Sequence, residues 1–255
     1  MLLAIDIGNT NVVVALFSGE ALLKSWRLHT NKTNTADDWW IAVKQLAEQA
    51  RVDIGTVDSV ILSTVLPVVG RAMTLMCRRY LELTPLRVNA QLPLGLNLDV
   101  KDPDTVGADR ICNVVAGREL YGSPCVIVDL GTATTFDVVD EGGHFIGGSI
   151  APGLETGAQQ LFAGAALLSA VELRVPRTVI GRDTESNLLA GIVFGAVDQI
   201  DGMITRIKEE RGWQDLTVVL TGGLGDLIAG ELRSPSIYDA DLTVTGLRLI
   251  HERCG

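Results

Sequence analysis

Apolar residues near the start of the chain fall into short runs separated by polar turns. Leu2 to Ile5 is apolar, Gly8-Asn9-Thr10-Asn11 is turn chemistry, and Val12 to Phe17 is β-branched and apolar again, which predicts strand, turn, strand. A third strand is predicted across Ala21 to Leu28, after the turn Ser18-Gly19-Glu20. From Thr35 the period changes. Trp39, Val43, Leu46 and Ala50 recur every three or four residues, the spacing of one helix face, and Thr35 with Asp38 reads as a capping box. Val57 to Ser63 then reads as a buried strand, residues 68–82 as a helix, and Leu86 to Val88 as a short strand. A helix over about 109–121 carries Ile111, Val114 and Val115 on its apolar face.

The pattern then restarts. Cys125 to Val128 is a buried strand ending in Asp129, a Gly-Thr-Ala-Thr turn follows, and Phe136 to Val139 is a second strand. Helices are expected over about 155–168 and 185–210, the longer one buried along Leu189, Val193, Val197, Ile200, Ile204 and Ile207. Thr217 to Leu220 is another buried strand, closed by Thr221-Gly222-Gly223 and followed by a helix. Laid side by side, Asp6-Ile7-Gly8-Asn9-Thr10-Asn11 and Asp129-Leu130-Gly131-Thr132-Ala133-Thr134 each join an apolar strand to a second one through Asp, an apolar residue, Gly and small polar residues. The expectation is an α/β fold of two duplicated lobes, residues 1–120 and 121–255, with a cleft between them and a boundary near Gly122-Ser123-Pro124.

Composition narrows the function. With 255 residues, 47% of them hydrophobic, the chain can bury a sizeable core. Thirty-one acidic against 21 basic residues leave a net charge of −10, a field that repels phosphate backbones and argues against a nucleic-acid partner. No apolar run reaches the roughly 18 residues of a spanning helix, so no membrane partner is expected. The opening Met1 to Asp6 has neither the basic start nor the cleavage site of a secretion signal. The four cysteines form no Cys-x-x-Cys pair and the three histidines are scattered, so a zinc cluster is not expected and a reduced, cytoplasmic location is.

Hydroxyl- and glycine-rich turns let backbone amides approach a phosphate, and an aspartate closing the preceding strand can hold a cation beside it. A plain hairpin turn explains either loop singly; two matched copies favour the ligand reading. The turn at Gly222 and Gly223 permits close approach of a nucleotide. Gly107-Ala108-Asp109-Arg110 opens a helix, where the aspartate reads as a cap or, beside a guanidinium, as a group that activates a hydroxyl. Neither a P-loop nor a Rossmann fingerprint is present.

In this order and spacing, Asp6-x-Gly8-Asn9-Thr10-Asn11, Gly107-Ala108-Asp109-Arg110, Asp129-x-Gly131-Thr132-Ala133-Thr134-Thr135, Gly147-Gly148-Ser149-Ile150-Ala151-Pro152-Gly153 and Thr221-Gly222-Gly223 resemble type III pantothenate kinases, of the actin/hexokinase-like ATPase superfamily. The resemblance covers essentially the whole chain. It implies two RNase H-like lobes, ATP with Mg2+ between them, and phosphorylation of pantothenate at the first step of coenzyme A synthesis. By the same resemblance, Asp6, Ile7, Gly8, Asn9, Thr10, Asn11, Val12 and Val13 form the ATP-phosphate loop, with Asp6 organising the magnesium. Asp109 is implied as the general base, and Gly107, Ala108, Asp109 and Arg110 as the surround of pantothenate. Asp129 matches a monovalent-cation site for potassium or ammonium, Thr132 an ATP contact, and Gly222 and Gly223 the neighbourhood of adenosine. Thr184 matches a pantothenate contact in a homodimeric site, and alone it reads as the N-cap of the long helix. Family members usually carry a Tyr-Asp-Asn-Pro-like stretch where this chain has Val100-Lys101-Asp102-Pro103, so Val100 stands at the usual pocket tyrosine. Two other readings fit the same residues, a nucleotide-binding regulatory protein without activity and a kinase of another hydroxylated small molecule.

Overall fold

Ten strands make two sheets of identical strand order in the computed structural model, which describes residues 1–164 and 170–254. In the first sheet, β1 (Leu2–Ile7), β2 (Asn11–Ser18) and β3 (Ala21–His29) form an antiparallel meander. β4 (Ser59–Thr64) and β5 (Leu86–Arg87) extend the other edge of β1 in parallel, giving the order β3-β2-β1-β4-β5. One face of this sheet presents Leu3, Ile5, Ile7, Val12, Val14, Leu16, Val60 and Leu62. Those residues share a core with α1 (Ala36–Gln49) and α2 (Pro67–Met76), and alternation along each strand is what sorts them to that side. Thr35 caps α1 through the expected reciprocal pair with Asp38. Trp39 is buried in the core, and its neighbour Trp40 stacks on Tyr80 at 4.8 Å. α2 continues into a wider π turn over Cys77–Leu81 and stops where Glu82 turns left-handed at φ 58.

α3 (Ala108–Tyr121) carries the chain into the second sheet. There β6 (Cys125–Leu130), β7 (Ala133–Val139) and β8 (Phe145–Pro152) repeat the meander. Three helices follow: α4 (Leu154–Gly164), α5 (Thr184–Leu189), and α6 (Gly195–Arg211), which continues from α5 through a π turn at Ala190–Phe194. β9 (Thr217–Thr221) pairs in parallel with β6, α7 (Gly225–Ala229) follows, and β10 (Ile237–Tyr238) closes the order β10-β9-β6-β7-β8. Val126, Val128 and Leu130 pack against Val193, Val197, Ile200 and Ile204 of the long helix. The stretch Thr184–Arg211 has the length and hydropathy of a membrane span, yet its buried stripe is the one that covers this sheet. Gly212, at φ 69 in the left-handed region, ends it.

Two compact units result, Met1–Ala116 with Leu242–Gly255, and Gly117–Asp241. The last helix, α8 (Leu242–Cys254), therefore groups with the first sheet, where it packs on β1, β2 and β4. This differs from the expected division at 120/121, which left the chain's end in the second half. β8, β10 and α8 are elements the periodicity did not announce. The helix expected over 155–168 is present through Gly164, and its last four residues lie outside the described residues. The two repeats also differ by one residue. Ile7 pairs with Val12 across a four-residue loop, whereas Leu130 pairs with Thr134 across three, so matching the copies residue for residue slips by one beyond the turn.

Candidate active site

The first unit gathers its candidate residues on the sheet face opposite the α1–α2 core. Asp6, one residue before the end of β1, is the register partner of Ser63 on β4. Because Ile5 and Ile7 point into the core, Asp6 and Ser63 point the other way, toward α3. Cys112 of α3 lies fully buried there, and its thiol is pushed well above the usual range by burial first, then by the charges of Asp6 and Asp109 and with Ser63 beside it. The charges of two carboxylates from distant points in the chain thus both act on one buried thiol.

Asp109 reaches that position from the first turn of α3. Gly107 supplies the capping carbonyl, accepting from the Ile111 amide at 3.0 Å, so Asp109 is the second helical residue and not the cap that its position suggested. The Arg110 amide donates to Asp109 Oδ1 at 2.9 Å. A Cβ at Gly107 would stand 2.5 Å from the same oxygen, so residue 107 has to be small for the carboxylate to lie where it does. Arg110 and Val100 are both half-buried.

The loop from Asp6 to Val13 is braced from β3's end. Gly8 donates to the Asn11 carbonyl at 2.9 Å, Thr30 donates its amide to the Thr10 carbonyl at 2.8 Å, and the Thr30 hydroxyl donates to the Gly8 carbonyl at 2.9 Å. Asn9 and Thr10 stay exposed at the tip, while Val12 is buried and Val13 half-buried.

The second unit repeats the device. Asp129 closes β6 on the face away from the Val126–Val128 core, and its β9 register partner is the buried Thr221. Gly131 donates to the Ala133 carbonyl at 3.1 Å, and the Thr132 carbonyl accepts from the Gly153 amide at 3.2 Å and the Thr156 hydroxyl at 2.8 Å. Gly222 turns left-handed at φ 90, and a Cβ there would stand 2.5 Å from Asp129 Oδ1 and 2.7 Å from the Leu130 backbone. The β9 turn therefore rests directly on the end of β6, which brings Gly222 to Asp129 and leaves Gly223 exposed beside it.

Thr184 stands elsewhere in this unit. It is the exposed first residue of α5, and the cap is Asp183, whose side chain accepts from the Ser186 amide at 2.8 Å. The residues that spacing alone did not reveal are Ser63, Thr30 and Thr156. Each acts through strand register or a loop brace, and register becomes visible only once strands are paired. Among the described residues no cluster of three metal-ligating side chains occurs, so a cation here would rest on one carboxylate with further oxygens from bound phosphate or water.

Comparison with known proteins gives the chain its family. A family profile described as type III pantothenate kinase matches residues 2–206. A type III pantothenate kinase of Bacillus cytotoxicus is 41% identical over 253 residues, covering 99% of this chain and 96% of the relative. One from Thermomicrobium roseum is 44% identical, covering 99% and 97%. A solved structure from Campylobacter jejuni, described as a conserved protein proposed to be a Baf family transcriptional activator, superposes with a TM-score of 0.61. It is 20% identical over 98% of this chain and 97% of its own, a likeness that speaks to the fold alone. With one profile spanning most of its length and two relatives matched from end to end, the chain belongs to the type III pantothenate kinase family, on the actin/hexokinase-like ATPase fold.

Proposed function

We propose that this chain transfers the γ-phosphoryl group of ATP to the primary hydroxyl of pantothenate, giving 4′-phosphopantothenate and ADP at the first step of coenzyme A synthesis. The observation that carries the reading is the placement of Asp6 on the sheet face toward α3 and of Asp109 in the first turn of α3, within one unit, so that both charges act on Cys112. A pure nucleotide-binding module has no use for the second carboxylate. Asp109 accepts the hydroxyl proton as the new O–P bond forms and the bond to ADP breaks. Its requirement is geometric, a carboxylate oxygen within about 3 Å of that hydroxyl. The Arg110 amide on Oδ1 and the room left by Gly107 hold the carboxylate in one orientation. The braced loop from Asp6 to Val13 offers backbone amides to the phosphates, and Gly107, Ala108 and Arg110 surround the acceptor.

Hard carboxylate oxygens at strand ends suit Mg2+ at Asp6 and potassium or ammonium at Asp129, and the close seat of Gly222 leaves Asp129 Oδ1 beside a turn of small residues. Asp6 and Asp129 would hold these cations, which would supply positive charge to offset that of the phosphates. Thr132, Gly222 and Gly223 are assigned to the nucleotide in the second unit, and Thr184 to pantothenate in a homodimer. Exposed Val179 and Ile180, at 72% and 84% accessible and just ahead of Thr184, support a second copy covering that segment. Four free cysteines, three of them buried, fit a reducing cytoplasm, and the net charge of −10 argues against nucleic acid.

Val100 at the usual tyrosine position favours one alternative, a related hydroxylated acid as substrate. Both are tested by following ADP release from Mg-ATP with pantothenate and a panel of hydroxy acids, in potassium and then in sodium buffer. Phosphopantothenate identified by mass spectrometry, formed only with pantothenate and faster in potassium, is expected. Turnover confined to another acid would replace the substrate, and none in any mixture would leave a binding protein.

A further inference from the structure

The strands that end at the candidate nucleotide residues begin at a cavity. β6 and β9 run parallel, with the Thr217 amide donating to the Pro124 carbonyl at 3.2 Å where they start. At this end lies a cavity of about 470 Å³, lined by the two strand entries, the last turns of α6 and the Ser234-Pro235 segment. Five residue steps along β6 carry the chain from Pro124 to Asp129, about 16 Å of extended chain, so the cavity is distinct from the candidate active site.

Its walls are built before any ligand arrives. Asp201, only 8% exposed, accepts from the Arg233 amide at 3.0 Å and the Ser234 amide at 2.9 Å, fixing one wall. On another side the Tyr121 hydroxyl donates to Asp239 at 2.9 Å, which fixes its ring. Ile204 and Val218 form a buried apolar floor. At the mouth sits Lys208, half-buried, whose side chain enters no ion pair or hydrogen bond among the described residues. Asp215, the acidic lining residue, is exposed and solvated on the rim.

We propose that this cavity is a second ligand site, for a small carboxylate with an apolar body, its anionic end on Lys208 and its body over Ile204 and Val218. The volume falls in the range of small-molecule sites, and polar and apolar groups share the lining, as an amphipathic ligand requires. A half-buried ammonium without a counterion favours an anion, and the apolar floor favours a ligand larger than a bare inorganic ion.

The test uses the full chain with saturating Mg-ADP and pantothenate present, and 4-(trifluoromethyl)benzoate as the probe, followed by 19F NMR. Saturable broadening is expected. Lys208→Met should weaken it about tenfold, the loss of one charged hydrogen bond, while Lys208→Arg should restore it. ADP release should be unchanged in both variants, since Lys208 lies outside the catalytic groups. The neutral 4-(trifluoromethyl)benzyl alcohol should bind weakly, and inorganic phosphate should compete poorly. Equal binding to the Lys208→Met variant, equal binding of the alcohol, or no saturation at millimolar probe would each overturn the assignment. Efficient displacement by phosphate would also overturn it, because the apolar floor would then contribute nothing.

Discussion

At the scale of single residues, one carboxylate from each unit should separate chemistry from cation binding. Asp109 is half-buried in the first turn of α3, and its Oδ1 accepts from the following amide. Asp109→Asn keeps the shape and removes the proton acceptor, so turnover should fall by about 10²–10⁴-fold with ATP affinity nearly unchanged. Near-normal turnover would remove it as the base. Asp129→Ala should instead abolish the advantage of potassium over sodium; retained potassium activation in that variant would refute the cation assignment. These candidates stand out in the sequence because an aspartate at a strand end or a helix start is a local signal. Ser63 and Thr30 do not, since neither type nor spacing distinguishes them from any other hydroxyl residue. What places Ser63 beside Asp6 is the pairing of β1 with β4, and that pairing joins segments nearly sixty positions apart.

At the scale of elements, the meanders, the capped α1 and the buried stripe of the long helix were legible because each repeats one period over many residues. β8 and α8 were not, and both carry glycines that packing requires. In α8, Thr243, Val244, Thr245 and Gly246 are poor helix formers in a row. Tertiary contact overrides that preference. A Cβ at Gly246 would stand 2.1 Å from the Cys112 carbonyl oxygen, and the Thr243 hydroxyl donates to buried Asn113 at 2.7 Å. Close approach of α8 to α3 thus replaces the missing propensity. Gly246→Ala should cost about 2 kcal/mol in urea unfolding, the overpacking penalty outweighing alanine's helical advantage. Gly202→Ala on α6, where a Cβ meets nothing within 4 Å, should be neutral or stabilising by about 0.5–1 kcal/mol. Equal effects at the two sites would mean that α8 does not approach α3 so closely.

At the scale of the whole molecule, the second unit is an insertion between α3 and α8 of the first. Sequence periodicity carries no record of such a return, because a helix at the chain's end reads the same whichever sheet it covers. The buried cysteines can report it. Burial pushes the Cys77 and Cys125 thiols up to about 12, and Cys112 well above its ordinary value, burial again leading. Thiols that ionise near 9.0 when unfolded and near 12 when folded give their full stabilisation below pH 9. That contribution declines as pH rises from 9 toward 12, so Tm should fall over this window. At pH 8 the native chain should then offer a thiol reagent only exposed Cys254, the other three reacting on unfolding. Ending the chain at Asp241 strips α8 from the sheet face that holds Phe17, whose ring lies 6.0 Å from the Arg248 guanidinium, and from the α3 turn that holds Cys112. In the shortened chain Cys112 should become reactive without denaturant, while Cys125, whose sheet has no part in α8, stays protected. Mass-spectrometric mapping of a brief alkylation pulse reads both sites at once. Protection of Cys112 in the shortened chain would show that the first unit closes without its last helix, and exposure of Cys125 with it would show that the two units do not hold their cores separately.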